Sequence, residues 1–209
     1  MSGTTAFWYA SRATGVVALL LLTAVLVLGI LVNRQGRLPG LPRFAVTSLH
    51  RNISLLAVAF IAVHVLTAVL DSYVRIPLLA GVVPFASSYE RGWLALGAVS
   101  FDIMLAMIIT SLLRGRLNRR LWRAVHLLAY LCWPVAFAHS IGSSRDLQHG
   151  WLLGLAVGCA LVVAAAVIWR LAHAARQLPR AARVAAILAQ HAPAAGRPGP
   201  ERTGEKVAR

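Results

Sequence analysis

Two stretches of this sequence begin and end with histidine: HRNISLLAVAFIAVH at residues 50–64 and HLLAYLCWPVAFAH at residues 126–139. Thirteen residues separate the two histidines of the first stretch, and twelve separate those of the second. Both stretches are otherwise mostly apolar, and in a helix the two histidines of each lie about 20 Å apart, at about 1.5 Å per residue. A charged side chain at bilayer depth costs about 2.5 kcal/mol or more, so intramembrane histidines are candidates for a functional site.

The composition excludes an ordinary soluble domain. Of the 209 residues, 59% are hydrophobic and 13% are charged, and the mean hydropathy is +0.72. Five stretches are long and apolar enough to cross a bilayer as helices: residues 8–32, 44–70, 92–113, 120–141 and 150–172. Because a helix satisfies its own backbone hydrogen bonds in lipid, the sequence predicts an all-α protein with five transmembrane helices. Its predicted location is a cell membrane, either a bacterial inner membrane or a plasma membrane.

The positions of the arginines predict the orientation of this bundle, because cytoplasmic loops carry an excess of positive charge. Arginines cluster between the first two spans, between the third and fourth spans, and after the fifth span. The two loop clusters are Arg34, Arg37, Arg43, Arg114, Arg116, Arg119 and Arg120. We therefore expect the N-terminus outside and the C-terminus in the cytoplasm. The net charge of +15 is explained by arginines at the anionic cytoplasmic leaflet, so we expect no nucleic-acid partner.

The chain is predicted to divide into two parts. Residues 1–173 contain the five spans and form one membrane domain, whereas residues 174–209 form a basic tail. Within this tail, residues 180–190 are a candidate for a short helix on the membrane surface. The Pro- and Gly-rich end after His191 is predicted to be disordered in the cytoplasm.

Depth sorts the four histidines into two pairs. His50 and His126 lie near the cytoplasmic ends of their spans, and His64 and His139 lie towards the outer ends. Two imidazoles are suitable axial ligands for one iron, and a porphyrin fits between two helices. The pattern predicts two hemes, one held by each pair. The alternative is that these histidines make hydrogen bonds between packed helices.

The angular positions of the histidines fit this prediction unequally. At about 100° per residue, His50 and His64 lie about 40° apart around their helix, but His126 and His139 lie about 140° apart. Pro134 lies between the second two, and we expect it to kink or rewind that helix.

Several charged residues are candidates to support a heme. Arg51, Arg123 and Arg145 lie near the histidines in sequence, and each is able to bind a heme propionate through a charge-assisted hydrogen bond. Arg12 is a weaker candidate of the same kind. For Arg51 and Arg123 the alternative is a role as positive-inside anchors only. Asp102 is the one carboxylate in the middle of a span, and it either supports a ligand histidine or makes a packing contact.

The paired spacing on helices separated by one span resembles the ferric reductase-like transmembrane domain. The stretch WRAVHLLAY at residues 122–130, followed by His139 and then Asp146, resembles bacterial members in particular. It is also similar to the heme-bearing membrane subunit of the periplasmic methionine sulfoxide reductase system. This resemblance covers roughly residues 8–172. It implies that His50, His64, His126 and His139 bind two b-type hemes that pass electrons across the membrane.

The same resemblance implies which partners to expect. Larger members of the family carry a cytoplasmic flavin and nicotinamide domain and usually six core helices, whereas here five spans are followed by a short tail. We therefore expect a separate electron donor, either a quinol or a flavoprotein reductase that binds its own flavin. The expected acceptor lies outside and is ferric iron, a partner flavoprotein or another oxidant.

The sequence thus predicts a transmembrane electron-transfer subunit, an oxidoreductase component that works with a separate donor. Two other classes stay open: a proton-coupled transporter that uses buried histidines, and a membrane scaffold without catalytic function. A transporter is expected to have broken helices or paired repeats around a site at mid-membrane. A scaffold needs no polar groups at two depths.

Overall fold

The computed structural model describes residues 3–33, 42–71 and 76–191. This part of the chain is all-helical, and two short 3₁₀ turns lie in its connections at Leu78–Gly81 and Arg145–Gln148. The α-helices are α1 (Gly3–Asn33), α2 (Arg43–Leu70), α3 (Arg91–Leu112), α4 (Arg119–Leu127), α5 (Ala129–Ser143) and α6 (Gly150–His191). The chain divides into two compact units, residues 1–167 and 168–209, and the bundle described below belongs to the first.

Within these described ranges, five helical segments are long and apolar enough to cross a membrane, as predicted. They are Ala6–Val32, Phe44–Leu70, Arg91–Leu112, Arg119–Ser143 and Gly150–Arg176. Their ends differ from the predicted ends by at most four residues, because long apolar runs end abruptly at charged or turn-forming residues. Asn118, for example, begins α4 as an N-cap, and its side-chain oxygen accepts a hydrogen bond of 2.9 Å from the backbone N–H of Arg120.

Helices α1 and α5 connect the bundle. Helix α1 contacts α2 along its length and also contacts α5, and α3 packs against α5. A buried cluster joins α1, α5 and α6 through Leu26, Ile30, Trp133, Cys159 and Val163. Beside this cluster, the indole Nε1 of Trp133 donates a hydrogen bond of 3.0 Å to the Thr23 hydroxyl, so the polar end of this buried ring has a partner, as membrane interiors require.

The fourth span consists of two helices, α4 and α5, that meet at Leu128. The N–H of Leu128 donates to the Val125 carbonyl at 3.0 Å, and the N–H of Leu131 donates to the Leu128 carbonyl at 2.9 Å. Each of these hydrogen bonds joins residues three positions apart, as in a 3₁₀ helix. A 3₁₀ helix turns by about 120° per residue, whereas an α-helix turns by about 100°. Each such step brings His126 and His139 about 20° closer around the span.

This interruption lies before Pro134, the residue that was expected to kink or rewind the span. Pro134 lies inside α5, six residues after Leu128. A proline lacks a backbone N–H and so removes one hydrogen bond from a helix, but the helix continues through it, as transmembrane helices allow. The 3₁₀-type hydrogen bonds of this span lie at Leu128, and the kink or rewinding at Pro134 stays a prediction.

We call the end of the bundle with the α2–α3 and α5–α6 connections the outer end, after the predicted orientation, and the opposite end the inner end. Both connections pack on the bundle. The Leu78–Gly81 turn contacts α2 and α3, and Leu147 in the Arg145–Gln148 turn is buried. These connections place polar residues at the outer mouth of the bundle.

Helix α6 continues to His191, beyond residue 173, the predicted end of the membrane domain. The segment 180–190 is helical, as predicted, and its position on the membrane surface stays a prediction. The predicted disorder of the chain after His191 concerns residues outside those that the structure describes.

Candidate functional site

The outer pair of histidines lies face to face across the bundle. His64 on α2 and His139 on α5 have ring centres 6.3 Å apart, with their planes at 73°. A bond between a metal ion and an imidazole nitrogen is about 2.0–2.1 Å long, so two rings on opposite sides of one metal ion have centres about 6 Å apart. The outer pair therefore has the separation that two axial ligands of one metal need.

Main-chain carbonyls hold both rings of the outer pair. The Nδ1 of His64 donates to the Ser11 carbonyl on α1 at 2.8 Å, and the Nδ1 of His139 donates to the Trp93 carbonyl on α3 at 2.8 Å. Because a carbonyl oxygen only accepts hydrogen bonds, the hydrogen of each neutral ring lies on Nδ1. The lone pair of Nε2 is then available to a metal, the usual arrangement for a ligand histidine.

A cavity of about 230 Å³ lies beside the outer pair. It is bordered by α1, α2, α3 and α5, and both His64 and His139 line it. Its outer mouth carries polar groups, among them Arg12, Asp71 and Glu90. Binding sites for small molecules and cofactors usually measure about 300–1,000 Å³, so this cavity is somewhat smaller than a typical cofactor site.

Arg12 ties α1 to the segment that follows α5 at this mouth. Its guanidinium donates to the Asp146 carboxylate at 2.8 Å and to the Ser144 hydroxyl at 2.9 Å. It also lies over the Trp8 ring, 4.4 Å from the ring centre. These contacts fix the outer end of α1, next to the Ser11 carbonyl that holds His64.

Side chains lie against His126 of the inner pair. The ring of His126 stacks on Trp122, one turn earlier in α4, with centres 4.6 Å apart and planes at 25°. The guanidinium of Arg114 lies over the Trp122 ring, 4.7 Å from its centre. His50 on α2 is close enough to His126 for their charges to interact.

Three nitrogens of this inner region are buried without a hydrogen-bond partner: Nδ1 of His50, Nδ1 of His126 and Nε1 of Trp122. A buried polar atom without a partner is costly. The inner region therefore has unused hydrogen-bonding capacity, whereas the outer histidines have carbonyl partners.

The number of ligands at the histidine pairs determines which kind of metal group they suit. Among the described residues, no group of three or more His, Cys, Asp or Glu side chains is placed to hold a metal ion. A bare zinc ion takes three or four protein ligands. A heme brings four equatorial nitrogens of its own and needs only the axial pair. The two-histidine donor set of the outer pair, with each Nε2 available, therefore fits a heme better than a bare ion.

The charged residues proposed from the sequence lie in different surroundings. Arg51, Arg123 and Arg145 are exposed, and Asp102 on α3 is half-buried. Within the described part of the chain, no hydrogen bond joins the Asp102 carboxyl group to any of the four histidines. The Nδ1 atoms of the outer pair bond to main-chain carbonyls instead.

Sequence reasoning missed several neighbours of the histidines. Arg114 was assigned only to the cytoplasmic charge cluster, although it stacks over Trp122. The carbonyls of Ser11 and Trp93 carry no side-chain signal, since any residue has one. Arg12 was considered a weak candidate, and its ion pair with Asp146 depends on a contact between residues 134 positions apart.

The fold and this site together define a multi-pass helical membrane protein with paired intramembrane histidines. The family model described as ferric reductase like transmembrane component matches residues 14–137. Because this match covers more than half of the chain, the chain belongs to the ferric reductase-like transmembrane family, as the resemblance predicted. The matched segment includes His50, His64 and His126 and ends two residues before His139. Family membership indicates a role in electron transfer at a membrane.

No curated protein and no solved structure matches the chain significantly.

Proposed function

We propose that this chain is the transmembrane electron-transfer subunit of an oxidoreductase. In this proposal His64 and His139 hold an outer b-type heme, and His50 and His126 hold an inner one. The separation of 6.3 Å between the His64 and His139 ring centres carries the proposal, since it suits two axial ligands of one metal. A heme bound between two imidazoles takes up and releases single electrons and leaves no open position for oxygen.

The residues of this chain have distinct parts in that function. The Ser11 and Trp93 carbonyls orient the outer imidazoles and keep their Nδ1 atoms protonated. At the inner end, Trp122 supports the ring of His126 by stacking. The apolar helices exclude water from both pairs, which favours a transfer of electrons without side reactions.

Charged residues at the two ends are proposed to bind the propionates. Arg51 and Arg123 serve the inner heme and Arg145 serves the outer one, each through a charge-assisted hydrogen bond. Arg114 joins the inner set because it lies over Trp122. For Asp102 we propose a supporting role near the hemes. An ionisable group inside a membrane span costs free energy, so such a residue is a candidate for a functional role.

The proposed direction of transfer follows the predicted orientation, with the N-terminus outside and the C-terminus in the cytoplasm. A donor in the cytoplasm or the membrane, either a quinol or a flavoprotein reductase, supplies electrons at the inner end. An extracytoplasmic acceptor, such as ferric iron or a partner flavoprotein, takes them at the outer end. Lipid surrounds the five spans, and the location proposed is a bacterial inner membrane or a plasma membrane.

The visible spectrum of the purified protein tests this proposal. From heme-replete cells, the protein should carry about two b-type hemes per chain, because four histidines make two bis-imidazole sites. Both should be reduced by dithionite, with the sharp absorption bands of six-coordinate heme b. A colourless preparation would overturn the proposal, and a single heme per chain would overturn the assignment of one pair.

A further inference from the structure

Two glycines lie directly against the rings of the outer histidines. A Cβ atom added at Gly15 on α1 would come within 3.0 Å of Cε1 of His64, and one added at Gly97 on α3 would come within 2.8 Å of Cε1 of His139. Cβ contacts below 3.0 Å essentially never occur, and contacts of 3.0–3.4 Å are tighter than nine in ten. Each outer imidazole therefore occupies space that any other residue at the glycine would fill with its side chain.

At the inner end of α1, a glycine also lies against a histidine ring. A Cβ atom at Gly29 would lie 3.3 Å from Cε1 of His50. Gly15 and Gly29 are fourteen positions apart, as are His50 and His64. Because α1 and α2 follow each other across the bundle and run in opposite directions, this equal spacing places one glycine opposite each histidine of α2.

The position of each glycine relative to a carbonyl explains the contact. The outer histidines bond to the carbonyls of Ser11 and Trp93, which precede Gly15 and Gly97 by four residues. A side chain on a helix leans toward the N-terminus and covers the preceding turn. Any side chain larger than hydrogen at these positions would thus cover the carbonyl. That carbonyl already accepts the helical N–H, and its second lone pair serves the histidine.

His50 follows the same pattern less completely. Its ring faces the carbonyl of Val25, four residues before Gly29, but its Nδ1 does not reach hydrogen-bond geometry. His126 has a different neighbour, the Trp122 ring. Three of the four histidines thus meet a glycine and the carbonyl one turn before it.

We propose that Gly15, Gly29 and Gly97 are positioning residues that set the redox properties of the hemes. Gly15 and Gly97 each uncover a carbonyl that orients one imidazole and increases its basicity through the Nδ1–H bond. Gly29 uncovers the Val25 carbonyl, which the ring of His50 faces without completing that bond. More basic axial ligands stabilise oxidised iron, and partners that orient ligands in this way affect metal affinity about 10–100-fold. This inference rests on the proposed function, since it concerns the imidazoles that hold the hemes.

Redox titration of alanine variants in the full-length, heme-loaded protein tests the inference. Gly15→Ala and Gly97→Ala should make the potential of the outer heme more positive and weaken its binding by about 10–100-fold, with the inner heme unchanged. Gly29→Ala should shift the inner heme alone, and by less, because its contact is looser. The matched controls are Gly154→Ala and Gly158→Ala in α6, where no atom lies within 4 Å of an added Cβ.

Unshifted potentials in variants that keep both hemes would overturn the inference and leave the proposed function intact. A loss of thermal stability without a shift in potential would also overturn it, since helix packing alone explains that result. Absence of heme from the unaltered protein would instead refute the proposed function. If a variant fails to fold, infrared difference spectra of the unaltered protein with ¹⁵N-labelled histidine decide the matter. Hydrogen-bonded Nδ1–H groups at the outer heme are expected, and free ones would refute the inference.

Discussion

The outer and inner histidine pairs are held by different parts of the protein. Main-chain carbonyls of α1 and α3 accept hydrogen bonds from His64 and His139, whereas side chains surround His126. Every residue has a main-chain carbonyl, so the hydrogen bonds of the outer pair do not depend on the side chains of Ser11 and Trp93. They depend on the register between the helices and on the glycines that leave these carbonyls uncovered. In the inner pair, His126 depends on particular side chains. The two pairs should therefore respond to different substitutions.

The two pairs also differ in whether their Nδ1 atoms have a hydrogen-bond partner. Both Nδ1 atoms of the outer pair are bonded, but those of His50 and His126 are buried without partners. Since unpaired buried groups cost free energy, the inner region gains more when it binds a group that accepts hydrogen bonds. The outer pair, in contrast, is already oriented.

The largest effect should come from removing a histidine. His64→Ala or His139→Ala should lower the heme content from about two to about one per chain and remove the same spectral component, because one imidazole holds the iron poorly. His50→Ala and His126→Ala should both remove the other component. Pyridine hemochrome assays and low-temperature spectra measure both quantities.

A histidine outside both pairs supplies the control. The Nδ1 of His149 bonds to the Arg145 carbonyl one turn earlier, so His149→Ala should keep both hemes. If His50→Ala and His139→Ala removed the same component, the division into an outer and an inner pair would be wrong.

A smaller effect, confined to the inner pair, is expected for Trp122→Ala. Stacking between aromatic rings contributes about 0.5–1.5 kcal/mol, so the inner heme should dissociate up to about tenfold faster while the outer heme is retained. Trp122→Phe should preserve most of the stacking. The measurement is the transfer of each heme to an excess of apomyoglobin, followed by its absorption bands.

The matched control for this variant is the similar pair of Trp169 and His173 in α6, whose ring centres lie 4.7 Å apart. Trp169→Ala should leave both hemes in place, since neither residue belongs to a proposed heme pair. Equal loss of both hemes from Trp122→Ala would show that the two pairs are not supported separately.

Much of this organisation could be predicted from the sequence, because its signals are local. Apolar runs such as Ile53–Leu70 lack charge, and their length determines the spans. The four histidines stand out because polar groups in such runs are costly. The family resemblance rested on the same residues and was confirmed by the match to residues 14–137.

Other features depend on how helices pack and could not be predicted. The 3₁₀ step at Leu128 has no proline or glycine beside it, and Pro134 was the residue expected to kink or rewind this span. The contact of Gly15 with His64 requires the register between α1 and α2. The stack of Arg114 on Trp122 depends on the shape of the short α3–α4 connection, so arginines nearer to the histidines in sequence were preferred.

The smallest predicted effect concerns the ion pair of Arg12 and Asp146 at the outer mouth. Their side chains are 31% and 52% exposed, and ion pairs that reach solvent contribute about 0.2–1 kcal/mol. A double-mutant cycle with Arg12→Gln, Asp146→Asn and both together should give a coupling energy in this range. The coupling should decrease as salt is added, because solvent ions screen exposed charges.

This ion pair also distinguishes the two ends of the bundle. Arg12 follows Ser11, whose carbonyl holds His64, so Arg12→Gln should broaden or slightly shift the band of the outer heme and leave the inner band unchanged. Arg91→Gln is the control, because that exposed arginine at the outer end lies over the Phe85 ring and outside the ion pair. A shift of the inner band would contradict the separate support of the two pairs. A coupling energy of zero at low salt would mean that Ser144 and the Trp8 ring alone hold Arg12 in place.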